Sequence, residues 1–223
     1  MQHIALVTGA STELGEASVR RFLAHDHRVI ALDAESSQLE DMKLSLPVDQ
    51  QQKILTLSLD MSDAEQVDEL IASLLPEFSA VTVLVNNASL TPTQGQQREA
   101  QQTDWSLGIN RNIKGLVHVT RILLPGMVER QCGHVINVGA VGAQNPCLGG
   151  DVYGGTKAFF QQFSLNLRAD LIGTAVRVSS IHTIATEKEL LSANDVAESI
   201  FWVSHLPHHM NINRLELMPA TKT

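Results

Sequence analysis

Short apolar runs alternate with longer amphipathic segments along almost the whole chain. His3–Thr8 (HIALVT) reads as a buried strand, and Glu13–His25 then places Leu14, Ala17, Ser18, Phe22 and Leu23 at close to helical spacing. Further strands are predicted at Arg28–Leu32, Lys53–Ser58, Ala80–Val85, Gly133–Val138 and Ala175–Ser180, with a last short one at Arg214–Leu217. Helical patterns fall between them at Ser36–Leu44, Ser62–Leu75, Asp104–Glu129, Asp151–Ile172 and Ser192–Ser204. Ser62-Asp63-Ala64-Glu65 reads as an S-x-x-E capping box, with Val67, Leu70, Ile71 and Leu74 as the apolar face behind it. The polar, glutamine-rich Thr91–Gln102 reads as a loop, because the alternation resumes on both sides. Strands separated by helices imply right-handed βαβ units. The expected fold is therefore α/β: a doubly wound parallel sheet of about seven strands, with ligands at the carboxyl ends of the strands.

Composition narrows this picture. A chain of 223 residues with 43% hydrophobic content suits one domain over 1–223 and can bury a sizeable core. Sixteen basic against 24 acidic residues give a net charge of −8, which argues against a nucleic-acid partner, whose phosphates need a basic face. No apolar run approaches the roughly 18 residues of a membrane span, so no membrane partner is expected. MQHIALVTGA lacks the basic and long apolar regions of a secretory signal. Cys132 and Cys147 make neither a disulfide framework nor a metal site, and a reducing cytoplasm is the expected compartment.

The candidate chemistry lies at the predicted strand ends. Thr8-Gly9-Ala10-Ser11-Thr12-Glu13-Leu14-Gly15 follows the first strand, where glycines let backbone approach a pyrophosphate. Asp33 ends the second strand, Asp60-Met61 follows the third, and Asn86-Asn87-Ala88-Ser89 follows the fourth. Asn112 lies in the first long helix, and Tyr153-Gly154-Gly155-Thr156-Lys157 opens the second. Tyr153 is the only tyrosine of the chain.

This ordered set resembles the short-chain dehydrogenase/reductase family nearly end to end. Leu124–Lys157 and Ile212–Pro219 look most like the bacterial 3-hydroxy acid (serine-type) dehydrogenases. The resemblance implies a Rossmann-type domain and hydride transfer between a nicotinamide and a carbonyl or alcohol carbon. Tyr153 would be the acid/base, Lys157 would lower the tyrosine's pKa and bind ribose, and Asn112 would hold a relay water. Gly9, Ser11, Leu14, Gly15, Asp33, Asp60, Met61, Asn87, Ala88, Tyr153 and Lys157 would hold the cofactor. An acidic residue at Asp33 accepts ribose hydroxyls, and Ala34 and Glu35 offer no cation to a 2′-phosphate. NAD is therefore expected ahead of NADP.

Three departures bear on activity. Glu13 replaces the middle glycine of the turn, and two like charges about 4 Å apart repel by on the order of 4 kcal/mol at a surface-like dielectric. A rotamer pointing into solvent would relieve this; alternatively Glu13 fills the anion site itself and steadies the helix dipole. Ala140 stands thirteen residues before Tyr153, where the family has a substrate-binding serine, and only Ser89 could approach from nearby. Thr183-Ile184 replace a Pro-Gly turn, and only His182–Leu191 separates the sixth strand from the helix cap Ser192, so the substrate lid after residue 181 is largely missing. His182 reads as a surface or capping histidine, and the nine histidines show no ligand-like spacing. Two functions follow: an active NAD-dependent oxidoreductase, or a pseudoenzyme kept as a binding or assembly subunit, with impaired chemistry the favoured expectation. The two long helices match the family's dimer-forming pair, and Val152, Phe159, Phe160 and Phe163 supply spare apolar surface. A homodimer or homotetramer is expected.

Overall fold

A computed structural model describes residues 3–87, 102–140, 151–183 and 191–220. Ala88, Ser89 and the glutamine-rich loop lie outside the described residues, as does most of the segment that follows the sixth strand. Seven strands form one parallel sheet in the order β3-β2-β1-β4-β5-β6-β7. They are β1 (Ile4–Thr8), β2 (Arg28–Asp33), β3 (Ile54–Ser58), β4 (Val83–Asn86), β5 (Gly133–Ala140), β6 (Val176–Thr183) and β7 (Arg214–Leu217). The order reverses between β1 and β4, and β1 pairs with both β2 and β4.

Alternation along the strands sorts their side chains into two cores. Ala5, Val7, Val85, Ile136 and Ile181 pack with Phe22 of α1 (Glu13–Ala24), Leu39 of α2 (Ser36–Leu44) and Ile200 of α9 (Ala193–Ser204). Leu6, Ile30, Leu84, Val135 and Val178 face the other way, with Val67 of α4 (Ala64–Ala72) and Val119 and Leu123 of α7 (Gly115–Glu129). Because both faces are covered, strands such as Val83–Asn86 are buried throughout.

Several boundaries differ from the sequence reading. Ser62 does not cap α4. Asp63 Oδ1 accepts the backbone N–H groups of Glu65 and Gln66 instead, and the Ser62 hydroxyl donates to Asp60. Two four-residue helices, α3 (Val48–Gln51) and α5 (Pro76–Ser79), are too short to leave a periodic signal. The first long helical segment is three pieces: α6 (Gln102–Ile109), a π-helical turn over Asn110–Lys114, and α7. The second is α8 (Asp151–Asp170). Strand β6 continues three residues beyond Ser180, so His182 is neither at the surface nor capping a helix. It is fully buried at the end of β6, opposite Gly139 of β5. Phe160 is likewise core and not spare surface.

The amino ends of the strands hold a second polar cluster. His3 at the start of β1, His27 before β2 and His205 at the C-cap of α9 put their rings 4.9–5.2 Å apart. The His3 backbone N–H donates to His27 Nδ1, so the His27 proton must sit on Nε2. That proton faces His205 Nε2 at 2.9 Å, which leaves His205 to donate from Nδ1 to the Phe201 carbonyl of α9. The donors thus fix a directional line of neutral imidazoles. Burial, and then the repulsion that two charged imidazoles would feel beside each other, push His3 down to about 3 and His27 down to about 4. Among the described residues, no group of three or more His, Cys, Asp or Glu side chains is arranged to hold a metal ion.

Candidate functional site

The turn between β1 and α1 is built for close approach. Gly9 adopts φ +62°, and a Cβ on Gly15 would lie 2.0 Å from the Gly9 carbonyl oxygen, so only glycine fits there. Thr12, a residue the sequence reading passed over, is the N-cap. Its hydroxyl accepts the Gly15 N–H and donates to the Gly9 carbonyl. An N-cap threonine ahead of an amphipathic helix was a readable signal. Asn87 braces the same turn from β4, its amide donating to Gly9 O and to Thr12 Oγ1. The N–H groups of Glu13 and Leu14, at the helix start, have no intrahelical acceptor and are open to an anion. The Leu14 side chain points away, against the α1 core. The Glu13 side chain is exposed on the first helical residue, and no hydrogen bond joins it to the turn. Glu13 therefore does not fill the anion site.

Beside this turn lies a cleft of about 200 Å³ lined by Gly9, Ser11, Asp33, Asp60, Met61 and Arg111, among others. Asp33 reaches it from the end of β2. Its Oδ2 accepts both the backbone N–H and the hydroxyl of Ser11, at 3.0 and 2.7 Å, and its Oδ1 accepts the Ala34 N–H. The carboxylate thus clamps the turn while presenting its remaining lone pairs to the cleft. Burial raises the pKa of Asp60, but the Ser62 N–H and hydroxyl and the charge of Arg111 outweigh it and hold the group below its ordinary value. The open cleft and the glycine contact fit the adenosine and pyrophosphate of a dinucleotide.

The other half of the site is carried by α8. Tyr153 and Lys157 are one turn apart, with the ammonium 5.6 Å from the tyrosine ring centroid and 4.7 Å from that of Phe160. Lys157 Nζ is buried and donates to the Val138 carbonyl of β5; burial pushes its pKa down to about 7. Asn112 comes from the π-helical turn, and its amide donates to Thr156 Oγ1, which in turn donates to the Tyr153 carbonyl. The π-helical turn thus meets α8 through Asn112 and Thr156, between Tyr153 and Lys157. Ala140 ends β5 nearby and presents only a methyl group. Behind it, His182 places Nδ1 3.4 Å from the Ala140 carbonyl and Nε2 3.1 Å from the Ser180 hydroxyl. A Cβ on Gly139 would lie 2.8 Å from that ring, so glycine at 139 makes room for the histidine. Burial lowers the His182 pKa, partly offset by the Ala140 carbonyl.

A glycine turn at β1, an asparagine in a π-turn and a Tyr/Lys pair against β5 form one arrangement at the carboxyl edge of the sheet. Residues 3–198 match the model of the short chain dehydrogenase family. The chain belongs to this family. The NADP-dependent 3-hydroxy acid dehydrogenase YdfG of Escherichia coli O6:H1 is 41% identical, with 99% of this chain and 96% of the relative covered. Serine 3-dehydrogenase of Agrobacterium fabrum is 36% identical, with 100% and 96% covered. The alignment to the Escherichia coli enzyme runs over 247 positions against 223 residues here, so the relative carries internal residues that this short-chain dehydrogenase lacks. Among solved structures, serine dehydrogenase from Escherichia coli superposes with a TM-score of 0.91 at 44% identity, covering 99% of both chains. A closed serine dehydrogenase complexed with NADP+ gives 0.91 at 40%, covering 99% of this chain and 96% of that one. The family takes NAD(P), and the YdfG relative is named as NADP-dependent. No helix among the described residues is long and apolar enough to cross a membrane.

Proposed function

We propose that this chain binds a nicotinamide dinucleotide and interconverts a small hydroxy acid and its carbonyl with impaired efficiency. The observation that carries the reading is the convergence of Tyr153, Lys157 and Asn112 beside Ala140, where a hydroxyl donor would complete the site. The nicotinamide, when bound, gives or accepts the hydride. Tyr153 holds the proton moved at the substrate oxygen. Lys157 must leave the Val138 carbonyl or share its protons with ribose and the tyrosine oxygen, and Asn112 fixes the start of α8 through Thr156.

Ala140 removes one hydrogen bond to the reacting oxygen, a loss worth roughly 10²–10³ in turnover where comparable donors have been removed. The shortened chain after Thr183 leaves little to close over the nicotinamide and exclude water. Assays with small 3-hydroxy acids and either dinucleotide should give rates well below the 1–10³ s⁻¹ of ordinary enzymes. Ala140→Ser should raise kcat/KM about a hundredfold. Ordinary wild-type rates would sink the impaired reading, and no gain in the variant would clear Ala140.

The cofactor choice has support on both sides. Asp33, Glu35 and Asp60 make the cleft unfavourable to a 2′-phosphate, while the names of the relatives favour NADP. Titration of both separates them. A second reading, a non-catalytic binding or assembly subunit, draws on the apolar surface of α6 and α8. Trp105 and Ile109 are each 42% exposed and Leu165 is 44% exposed. We assign this surface to a two-fold contact between copies.

A further inference from the structure

The π-helical turn at Asn110–Lys114 sends adjacent residues to the two halves of the site. Asn112 points to Thr156 on α8, whereas Arg111 lines the adenosine-side cleft with Asp33 and Asp60. π-turns of this kind are frequent at functional positions, where the extra residue re-aims its neighbours.

The state of the charges around Arg111 is informative. Asp33 is satisfied by Ser11 and Ala34, and Asp60 by Ser62. Among the described residues, no hydrogen bond or salt bridge holds the Arg111 guanidinium, although it is only half exposed and stands in the field of Asp60. It is also the one cation among the described residues that line the cleft. A flat, weakly hydrated cation with five donors is thus kept over a cleft without a protein partner. A guanidinium in that setting stacks on aromatic faces. Phosphate is the poorer occupant, since it would enter among three carboxylates for one counter-charge.

We propose that Arg111 is a specificity-determining residue that stacks on the purine base of the nucleotide, opposite Asp60, and so favours an adenosine with a free 2′-hydroxyl. This rests on the reading that the cleft takes the adenosine half of a dinucleotide. Asp60 accepts from the exocyclic amine, and Asp33 accepts from the ribose hydroxyls. The plane of the guanidinium supplies the base contact that a bare ammonium lacks.

The test is calorimetric titration of NAD, NADP and ADP-ribose into wild type, Arg111→Ala and Arg111→Lys, with melting curves to verify folding. Arg111→Ala should weaken NAD and ADP-ribose by about tenfold alike, and Arg111→Lys should recover little of that loss. Unchanged affinities in Arg111→Ala overturn the proposal. A loss confined to NADP overturns it too, because the residue would then read phosphate, and so does full rescue by lysine, which would make its charge sufficient. Wild type that binds none of the three ligands overturns the dinucleotide reading itself and this proposal with it. Wild-type binding with no effect of substitution removes this proposal alone.

Discussion

Lys157 shows how a single residue trades stability against chemistry. Its folded-state pKa is about 7 against an ordinary 10.5, because burial opposes the charge. Between those values the unfolded chain holds a proton that the folded chain has released, so stability rises with pH across that window and is lowest below pH 7. The cost of keeping the buried ammonium charged there is on the order of 5 kcal/mol. Lys157→Met removes that cost but orphans the Val138 carbonyl, worth about 1–3 kcal/mol. The variant should therefore melt higher than wild type at pH 6, and the gain should vanish or reverse near pH 10. A melting difference that ignores pH would contradict the burial argument. Tyr153, Lys157, Asn112 and the glycine pair could be singled out in the sequence because, taken in order, they resemble the family's motifs. The clamp of Asp33 on Ser11 could not, because it depends on how two strand ends lie side by side. His182 escaped for a related reason: Ser179, Ser180 and His182 break the apolar run of β6, yet each finds a polar neighbour on an adjoining element.

At the scale of elements, the line from His3 through His27 to His205 joins β1, the α1–β2 turn and the end of α9. His3 and His27 stay neutral in the folded chain to about pH 3–4, and burial pushes His205 down as well, whereas free histidine takes up a proton near pH 6.5. Below pH 6.5 the unfolded chain therefore binds more protons, and stability falls as pH drops toward 4, by up to about 1 kcal/mol per pH unit for each histidine. His27→Gln can still accept from the His3 N–H and donate to His205, but does not titrate. Urea unfolding at pH 7.5 and 4.5 should show a shallower acid loss in this variant. Equal losses in the two proteins would remove the cluster as the cause. Sequence spacing gave no hint of this cluster, since parallel strands gather residues that stand far apart in the chain. The strands and most helices were legible because both sheet faces are covered and buried strands read as continuous apolar runs. The π-turn was not, because one extra residue leaves the helical pattern almost intact.

At the scale of the molecule, one sheet holds the glycine turn, Asp33 and the Tyr/Lys pair at the carboxyl ends of its strands and the histidine line at their amino ends. The exposed apolar side chains lie on α6 and on α8, the helix that carries Tyr153 and Lys157, so the proposed two-fold contact would share that helix with the candidate site. Light scattering should give twice the mass of one chain, and Leu165→Lys, half-exposed near the C-terminal end of α8, should shift it toward the monomer. A monomeric wild type would rule the contact out. The histidine line has a further consequence, in the timing of folding. His27 and His205 are 178 positions apart. So long a loop closes late, after most local structure has formed. A contact absent from the transition state stabilises the native chain by slowing its unfolding, with little effect on how fast it folds. Acidification from pH 7 to 5 should therefore steepen the escape from the native state and leave the refolding rate nearly constant.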